Sequence, residues 1–530
     1  MVASRFTGTG RMTRLALRRD RVLLPAWIIG FALMVGISAN ATVGLYPDEI
    51  ERIRAAMTVN ATTALVALYG PIYDPTSLGA LSMFKLTALG AAIISVLMVF
   101  VVIRHTRAEE ETGRLELLRA APLGAWAPLT AAYVVAFGAS LAIGLVSSAA
   151  LVIAGLPVTG SLAFGLGWAC SGIAFAALAG VVAQVTPNSR VARGLGVLAI
   201  AIAYLLRAVA DVAEGGGWLT WLSPIGWMQQ VRAYAGDRWW VLMLPIAMAM
   251  VCVPLAFVLQ AHRDMGAGLL RERPGPAYGS MSSPLALAWR LQRGSLLAWM
   301  IGFVFFGFLL GSLADSLTGF LQSPQAAELI QQLGGTQALS DAFLSVEIGM
   351  AGIIVAAYGI SAASRLRSEE AEGHAELLLS TPTSRLRWAA GHVLVALGGV
   401  LAIMLLTGVA MGVASAIALG DSAQIGSMVT AALARVPAAW VFTALTILVF
   451  GWLPRWVAGV WGLFVAAVVL AELGPLWDIP QWVLDVSVFV HSPALPGADA
   501  STAGLWPLLA AAVALVAAGL WRWRRRDLHP

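Results

Sequence analysis

The sequence predicts an all-α polytopic membrane protein, about twelve transmembrane helices forming two parallel six-helix repeats, and three observations carry that expectation. Hydrophobic residues make up 59% and charged residues 12% of the 530, a balance outside the range of soluble globular domains. Apolar runs near 20 residues, the length that crosses a hydrocarbon core as a helix, recur from one end of the chain to the other. Two polar phrases of the first half return in the second at nearly constant spacing, which marks a tandem duplication.

Cut at charges and at Gly or Pro breaks, the apolar runs predict spans near 23–43, 82–103, 128–153, 161–184, 194–211, 239–260, 295–315, 346–363, 388–415, 428–450, 455–472 and 503–521. Residues 1–22 are basic and lack the small-residue cleavage site of a secretory signal, so they read as a cytoplasmic amphipathic helix ahead of the first span. With both termini in the cytoplasm, 26 of the 33 basic residues fall on that side, among them Arg5, Arg11, Arg190, Arg193, Arg455 and the tail Arg522 to Arg526. This is the positive-inside asymmetry. The net charge of +5 therefore calls for no nucleic-acid partner. Cys170 and Cys252 lie within spans and read as buried thiols without a disulfide framework.

The duplication fixes the expected domains. Leu15, Ala16, Arg18, Arg21, Trp27 and Gly30 return 272 positions later as Leu287, Ala288, Arg290, Arg293, Trp299 and Gly302. Residues 23–260 form a first six-span half, 261–286 a Pro-, Gly- and Ser-rich cytoplasmic linker, 287–521 a second half and 522–530 a basic cytoplasmic tail. An even number of spans returns the chain to its starting side, so the repeats are parallel, with a pseudo-two-fold axis along the membrane normal. The outside segments 44–80, 212–238, 316–345 and 473–502 are long for a bundle. Trp218, Trp221, Trp227, Trp239, Trp240, Trp477 and Trp482 cluster near two of them and read either as an interfacial belt or as outside helices capping a pathway. A Ser-Pro pair recurs late in each half, Ser223-Pro224 and Ser492-Pro493, inside a Trp-rich outside segment.

The second repeated phrase carries the chemistry. Residues 107–122 read RAEEETGRLELLRAAP and residues 367–382 read RSEEAEGHAELLLSTP, 260 positions on. Glu109, Glu110, Gly113, Glu116, Leu117, Leu118 and Pro122 match Glu369, Glu370, Gly373, Glu376, Leu377, Leu378 and Pro382. The glycine allows a sharp turn, and the proline stops the short helix after it. A helix that short is marginal alone in water, so its leucines need a surface. Two readings of the glutamates stand side by side: they neutralise Arg107 and Arg367 in a solvated loop, or they form two equivalent docking sites for a symmetric partner.

The pattern E-E-x-x-G-x-x-E-L-L-x-x-x-P after a span resembles the cytoplasmic coupling helix of ABC type-2 exporter permeases, the membrane subunits of ATP-binding-cassette transporters. The fused, Ala-, Arg- and Gly-rich form is similar to actinobacterial permeases related to the tetronasin-resistance exporter, which include multidrug-efflux permeases. The resemblance covers essentially the whole chain. It implies a bacterial plasma-membrane subunit that is not itself an enzyme and moves hydrophobic or amphipathic compounds such as antibiotics, ionophores or drugs out of the cell. It also implies two copies of an ABC ATPase subunit, as a homodimer, docked on residues 107–122 and 367–382, with ATP and Mg²⁺ on that partner and no cofactor on this chain. The one lysine, Lys85, stands in LSMFKL and cannot serve a phosphate loop of the form G-x-x-x-x-G-K-[ST].

Ionisable groups inside spans are functional candidates because burying one in lipid is costly. Arg435, in the tenth span, is a possible intramembrane polar site, and the first-half position near Ala169 is uncharged; snorkelling to the headgroups is its other reading. Arg207 and Asp211, one helical turn apart, are expected to pair locally, and Asp315 and Glu347 to lie near interfaces. No histidine pair has metal-ligand spacing and no nucleophile and base stand together. An ion-coupled secondary transporter, which would call for midplane carboxylates, a lipid- or polymer-exporting ABC permease, and a membrane scaffold or membrane-bound enzyme remain the alternatives.

Overall fold

The computed structural model describes residues 5–119, 122–213, 216–264, 266–269, 283–312, 336–473, 480–493, 495–496 and 502–527. Most of the expected linker, residues 316–335 of the third outside segment, Asp315 and Trp477 lie outside the described residues. The chain separates into two compact units, residues 1–275 and 276–530.

The first unit opens with α1 (Thr9–Arg19), whose last turn carries Arg18 and Arg19, the favourable sign at a helix C-terminus. It then sends six long helices in order: α2 (Leu23–Leu45), α5 (Leu78–His105), α8 (Ala127–Ile153), α9 (Val158–Val185), α10 (Ser189–Val212) and α12 (Met243–Ala261). Between them lie α3 (Glu49–Ala61), α4 (Thr63–Tyr69), the motif helices α6 (Arg107–Glu111) and α7 (Arg114–Arg119), and α11 (Pro224–Gln230). Helices in lipid gain little from apolar burial, so small residues that let backbones close together hold the bundle. A Cβ on Gly144 of α8 would sit 2.3 Å from the carbonyl oxygen of Gly165 on α9.

The second unit runs α13 (Pro284–Ser312), α14 (Thr336–Ala371), α15 (His374–Leu379), α16 (Arg385–Leu419), α17 (Ala423–Trp452), α18 (Gly459–Leu473), α19 (Gln481–Leu484) and α20 (Leu505–Arg525). Gly408 of α16 faces Ala432 of α17 as its counterpart Ser148 faces Gly165, so the packing repeats with the sequence. One difference is local: the first unit breaks its helix at Asp20, whereas α13 runs unbroken through Gln292, the position 272 residues on. Asp favours caps and breaks, Gln favours helix interiors.

Eleven helices among the described residues are long and apolar enough to span a membrane. The eleventh expected span, 455–472, is the exception. There Pro454–Trp456 form a 3₁₀ turn and α18 has 15 residues, about 22 Å at 1.5 Å per residue. Its counterpart α10 has 24 residues and starts on Asn188, whose side chain caps the amides of Arg190 and Val191. The second unit has Pro454 and no such cap. Trp218 and Trp482 are exposed, and Trp221 stacks on Trp240 at 5.5 Å. Cys170 is buried, Cys252 half-buried, and both are free.

The Ser-Pro pair is not a structural repeat. Ser223 donates its hydroxyl to the carbonyl of Ala203, 20 residues back in α10. In the second unit Ser487, not Ser492, does this, donating to Ala467, again 20 residues back, at 2.9 Å. The register puts Met228 opposite Ser492, and the two prolines coincide only in sequence.

Candidate coupling site

Each motif is a helix end, a glycine hinge and a helix of six residues. In the first unit α5 ends at His105, Thr106 breaks the helix, α6 carries the carboxylates, and Gly113 turns the chain at φ 70° into α7. In the second, α14 runs straight to Ala371 and Gly373, at φ 76°, turns it into α15. A Cβ on either glycine would touch nothing within 4 Å. The backbone angle, which L side chains adopt at a cost of about 1–2 kcal/mol, calls for glycine here.

The short helices expose the same face. Leu115 and Ala375 are buried beneath them, Leu118 and Leu378 are half-buried, and Glu116 and Glu376 are exposed. Leu117 is 78% and Leu377 72% exposed, so each unit presents a Glu-Leu pair at the tip of its motif. Pro122 and Pro382 follow on the surface.

The paired glutamates do the opposite. Glu109, Glu369 and Glu370 are buried, and the Glu110 side chain is 9% exposed. Glu110 accepts from Arg107 at 2.8 Å and takes both terminal nitrogens of Arg263, at 2.7 and 2.9 Å. Glu370 takes both terminal nitrogens of Arg526, at 2.6 and 2.7 Å, with Arg367 at 3.8 Å. Arg263 follows α12 and Arg526 follows α20, so in each unit the motif is clamped to the end of that unit's last span. Bidentate Arg–carboxylate pairs are the most directional of ionic contacts.

Further contacts bind the motif to neighbouring helices. Arg107, 1% exposed, donates twice to the carbonyl of Ala183 in α9, at 2.9 and 2.6 Å. Arg526 reaches the carbonyl of Phe450 in α17 at 3.4 Å, and Ala183 and Phe450 both stand four residues before a proline, Pro187 and Pro454. Glu111 accepts from the amide of Ser189 at the start of α10. Arg19 pairs with Glu109, and fully buried Asp20 holds Arg104 at 2.8 Å and His105 at 2.5 Å. Burial pushes the Asp20 carboxyl up, but the hydrogen bond and charge of His105, with Arg104 and Arg19, outweigh it and hold the group below its ordinary value. The second unit has local substitutes: Glu369 pairs with Arg365 at 2.6 Å and His374 at 3.3 Å, and Gln292 bonds His392 at 3.2 Å.

Neither sequence reading named the guanidinium that clamps Glu110 and Glu370. Arg107 does pair with Glu110, yet the pair is buried, and the second guanidinium comes from the end of the last span. A signal was present: an Arg-Asp dipeptide closes the last span of each half, Arg263-Asp264 and Arg526-Asp527.

The family described as the C-terminal domain of the multidrug efflux system permease Rv1217c matches residues 281–524. Over its full length the sequence is 41% identical to the multidrug efflux system permease protein Rv1217c of Mycobacterium tuberculosis, across 99% of this chain and 96% of that protein. The chain belongs to this permease family. In this permease Lys85 lies on α5 with its ammonium 5.7 Å from the Phe84 ring centroid. Arg207 and Asp211 pair at 3.1 Å, and Arg207 also donates to the carbonyls of Ala67 and Leu68. Arg435 sits on α17 and donates to the carbonyl of Ser345 on α14 at 3.3 Å, far in sequence from both motifs. Glu347 is half-buried on α14.

Proposed function

We propose that the permease is the membrane subunit of an ATP-driven exporter of hydrophobic or amphipathic compounds, with two copies of an ATPase subunit seated on α7 and α15 at the cytoplasmic face. The observation that carries this reading is the repeated tip: Glu116-Leu117 and Glu376-Leu377 are exposed in the same way, each on a helix too short to stand alone and each held by a buried carboxylate clamp. A single exposed leucine needs no explanation, but the same one exposed at both repeated tips offers a partner two equivalent apolar contacts. Its carboxylate neighbour supplies orientation toward a basic partner surface.

The clamps make the mount mechanical. Force applied to α7 passes through Glu110 to Arg263 and α12, and through Arg107 to α9; force on α15 passes through Glu370 to Arg526 and α20. Closure of an ATPase dimer would move several spans of each unit together. The buried glutamates are positioning residues in this scheme, and the exposed Glu-Leu pairs make the contact. The relative's name, a multidrug efflux permease, supports a broad drug cargo, and the count of basic residues supports cytoplasmic termini.

The test is Leu117→Asp with Leu377→Asp. The double variant should insert and unfold as the parent does, yet lose ATPase co-purification and drug efflux. Undiminished co-purification and efflux from a well-expressed double variant would remove the docking assignment.

A further inference from the structure

The second unit contains a cavity of about 250 Å³ lined by Ser345 and Gly349 of α14, Arg435 of α17, Ala471 of α18, and Phe489 and Ser492 of the segment after α19, among others. It lies toward the end of the unit away from the motif: Ser345 stands 26 residues before Ala371 on α14, about 39 Å along the axis. Among its described lining residues Arg435 carries the one formal charge. Two glycines let that side chain lie along α14, since a Cβ on Gly352 would come 2.8 Å from the Cβ of Arg435 and one on Gly349 3.3 Å from its Nη2.

The first unit closes the same place. Counted from Pro187 and Pro454, the position of Arg435 is Trp168 in the first unit, one residue before the expected Ala169. Phe175/Phe442, Ala177/Ala444 and Leu178/Leu445 keep that register. Trp168 is fully buried, its ring fills the space over Gly90, and its indole donates to the carbonyl of Thr87. The register set by Ser223 and Ser487 puts Arg207 opposite Ala471, Ile225 opposite Phe489 and Met228 opposite Ser492. Arg207, Ile225 and Met228 are all buried. Three bulky stations of the first unit have thus become Arg435, Ala471 and Ser492, and a packed core has become a cavity.

A second observation points to an occupant. Ser492 is 9% exposed, lines the cavity, and its buried hydroxyl has no hydrogen-bond partner. Buried polar atoms in folded proteins are overwhelmingly satisfied, and a guanidinium stays charged at any physiological pH. A cavity of this size is smaller than drug-sized pockets of roughly 300–1,000 Å³. It suits a head group, with the rest of the molecule lying along the lipid-facing helices.

We propose that this cavity binds the anionic head of an amphipathic molecule, a carboxylate or phosphate on an apolar body, held by Arg435 and Ser492. Among the described residues the first unit has no equivalent, so the site belongs to the second unit. It is independent of the coupling reading, because binding needs no ATPase.

The experiment measures binding of the fluorescent fatty acid cis-parinarate and of its uncharged methyl ester to purified permease in phosphatidylcholine nanodiscs. The parent should bind the acid saturably and more tightly than the ester. Arg435→Gln should weaken the acid by about tenfold or more, the loss expected for a charge-assisted contact, and leave the ester unchanged. Ser492→Met, which restores the first unit's filling side chain without touching the charge, should weaken the acid as well and keeps the test valid if the arginine variant fails to fold. Repeating the titration in discs containing phosphatidylglycerol separates the sources: competition that disappears in Arg435→Gln assigns the site to an anionic lipid, and its absence to a free amphiphile. Equal binding of acid and ester by the parent, or acid binding unchanged in folded variants, would overturn the proposal.

Discussion

Replacing Arg526 with Met tests the clamp where the geometry is strongest. Met keeps an unbranched apolar side chain beside Phe450 and Trp523 but removes the guanidinium, whose carbon lies 5.1 and 4.6 Å from their ring centroids, and with it both hydrogen bonds to Glu370. The Glu370 side chain, 2% exposed, is then left with Arg367 at 3.8 Å. Removing one partner of a buried pair costs about 3–5 kcal/mol, because a charge stays buried without compensation. At about 1.4 kcal/mol per factor of ten, local opening of the motif should become at least about 100-fold more frequent. Amide hydrogen exchange over residues 373–379 reads this directly. Exchange there should accelerate while amides in the middle of α16 stay protected. Glu370→Arg with Arg526→Glu should recover part of the protection, since the two groups form one unit. Unchanged exchange in Arg526→Met would refute the idea that the last span holds the coupling helix.

Two smaller predictions follow from single contacts. Gly144→Ala places a methyl 2.3 Å from the carbonyl oxygen of Gly165 and should lower the thermal unfolding temperature of the purified permease, whereas Gly138→Ala on the same helix meets nothing within 4 Å and should not. Because the Asp20 carboxyl lies below its ordinary value of 3.8, its stabilising effect is complete above that value and disappears as pH falls through the lowered one. Asp20→Asn should flatten this acid limb in a pH series of unfolding temperatures, and an unchanged limb would count against the Arg104–Asp20–His105 contact.

Span-length apolar runs predicted the long helices because length and hydropathy are local properties. The edges drifted where capping decided them: α16 starts at Arg385, ahead of the expected 388, because Ser384 caps it through the amide of Arg387. The eleventh span begins at Gly459 and not at the expected 455, because Pro454 opens a 3₁₀ turn ahead of α18. Gly113 and Gly373 were legible as hinges from the sequence, and both take the left-handed backbone angle.

What the sequence determined by itself was the inventory: a duplicated helical membrane protein, with one charged phrase per half that any partner would have to meet. Tertiary structure decided which of those charges face outward. Glu109, Glu110, Glu369 and Glu370 are as polar on paper as Glu116 and Glu376, and burial against Arg19, Arg263, Arg365 and Arg526 separates the two sets. Arg365 stands one helical turn from Glu369, but Arg19, Arg263 and Arg526 lie far along the chain, and pairing across such distances leaves no periodic signal. The same holds for Arg435. Its charge was visible at once, but the cavity beside it exists because residues on three other elements, Gly352, Ala471 and Ser492, leave open a space that the first unit fills.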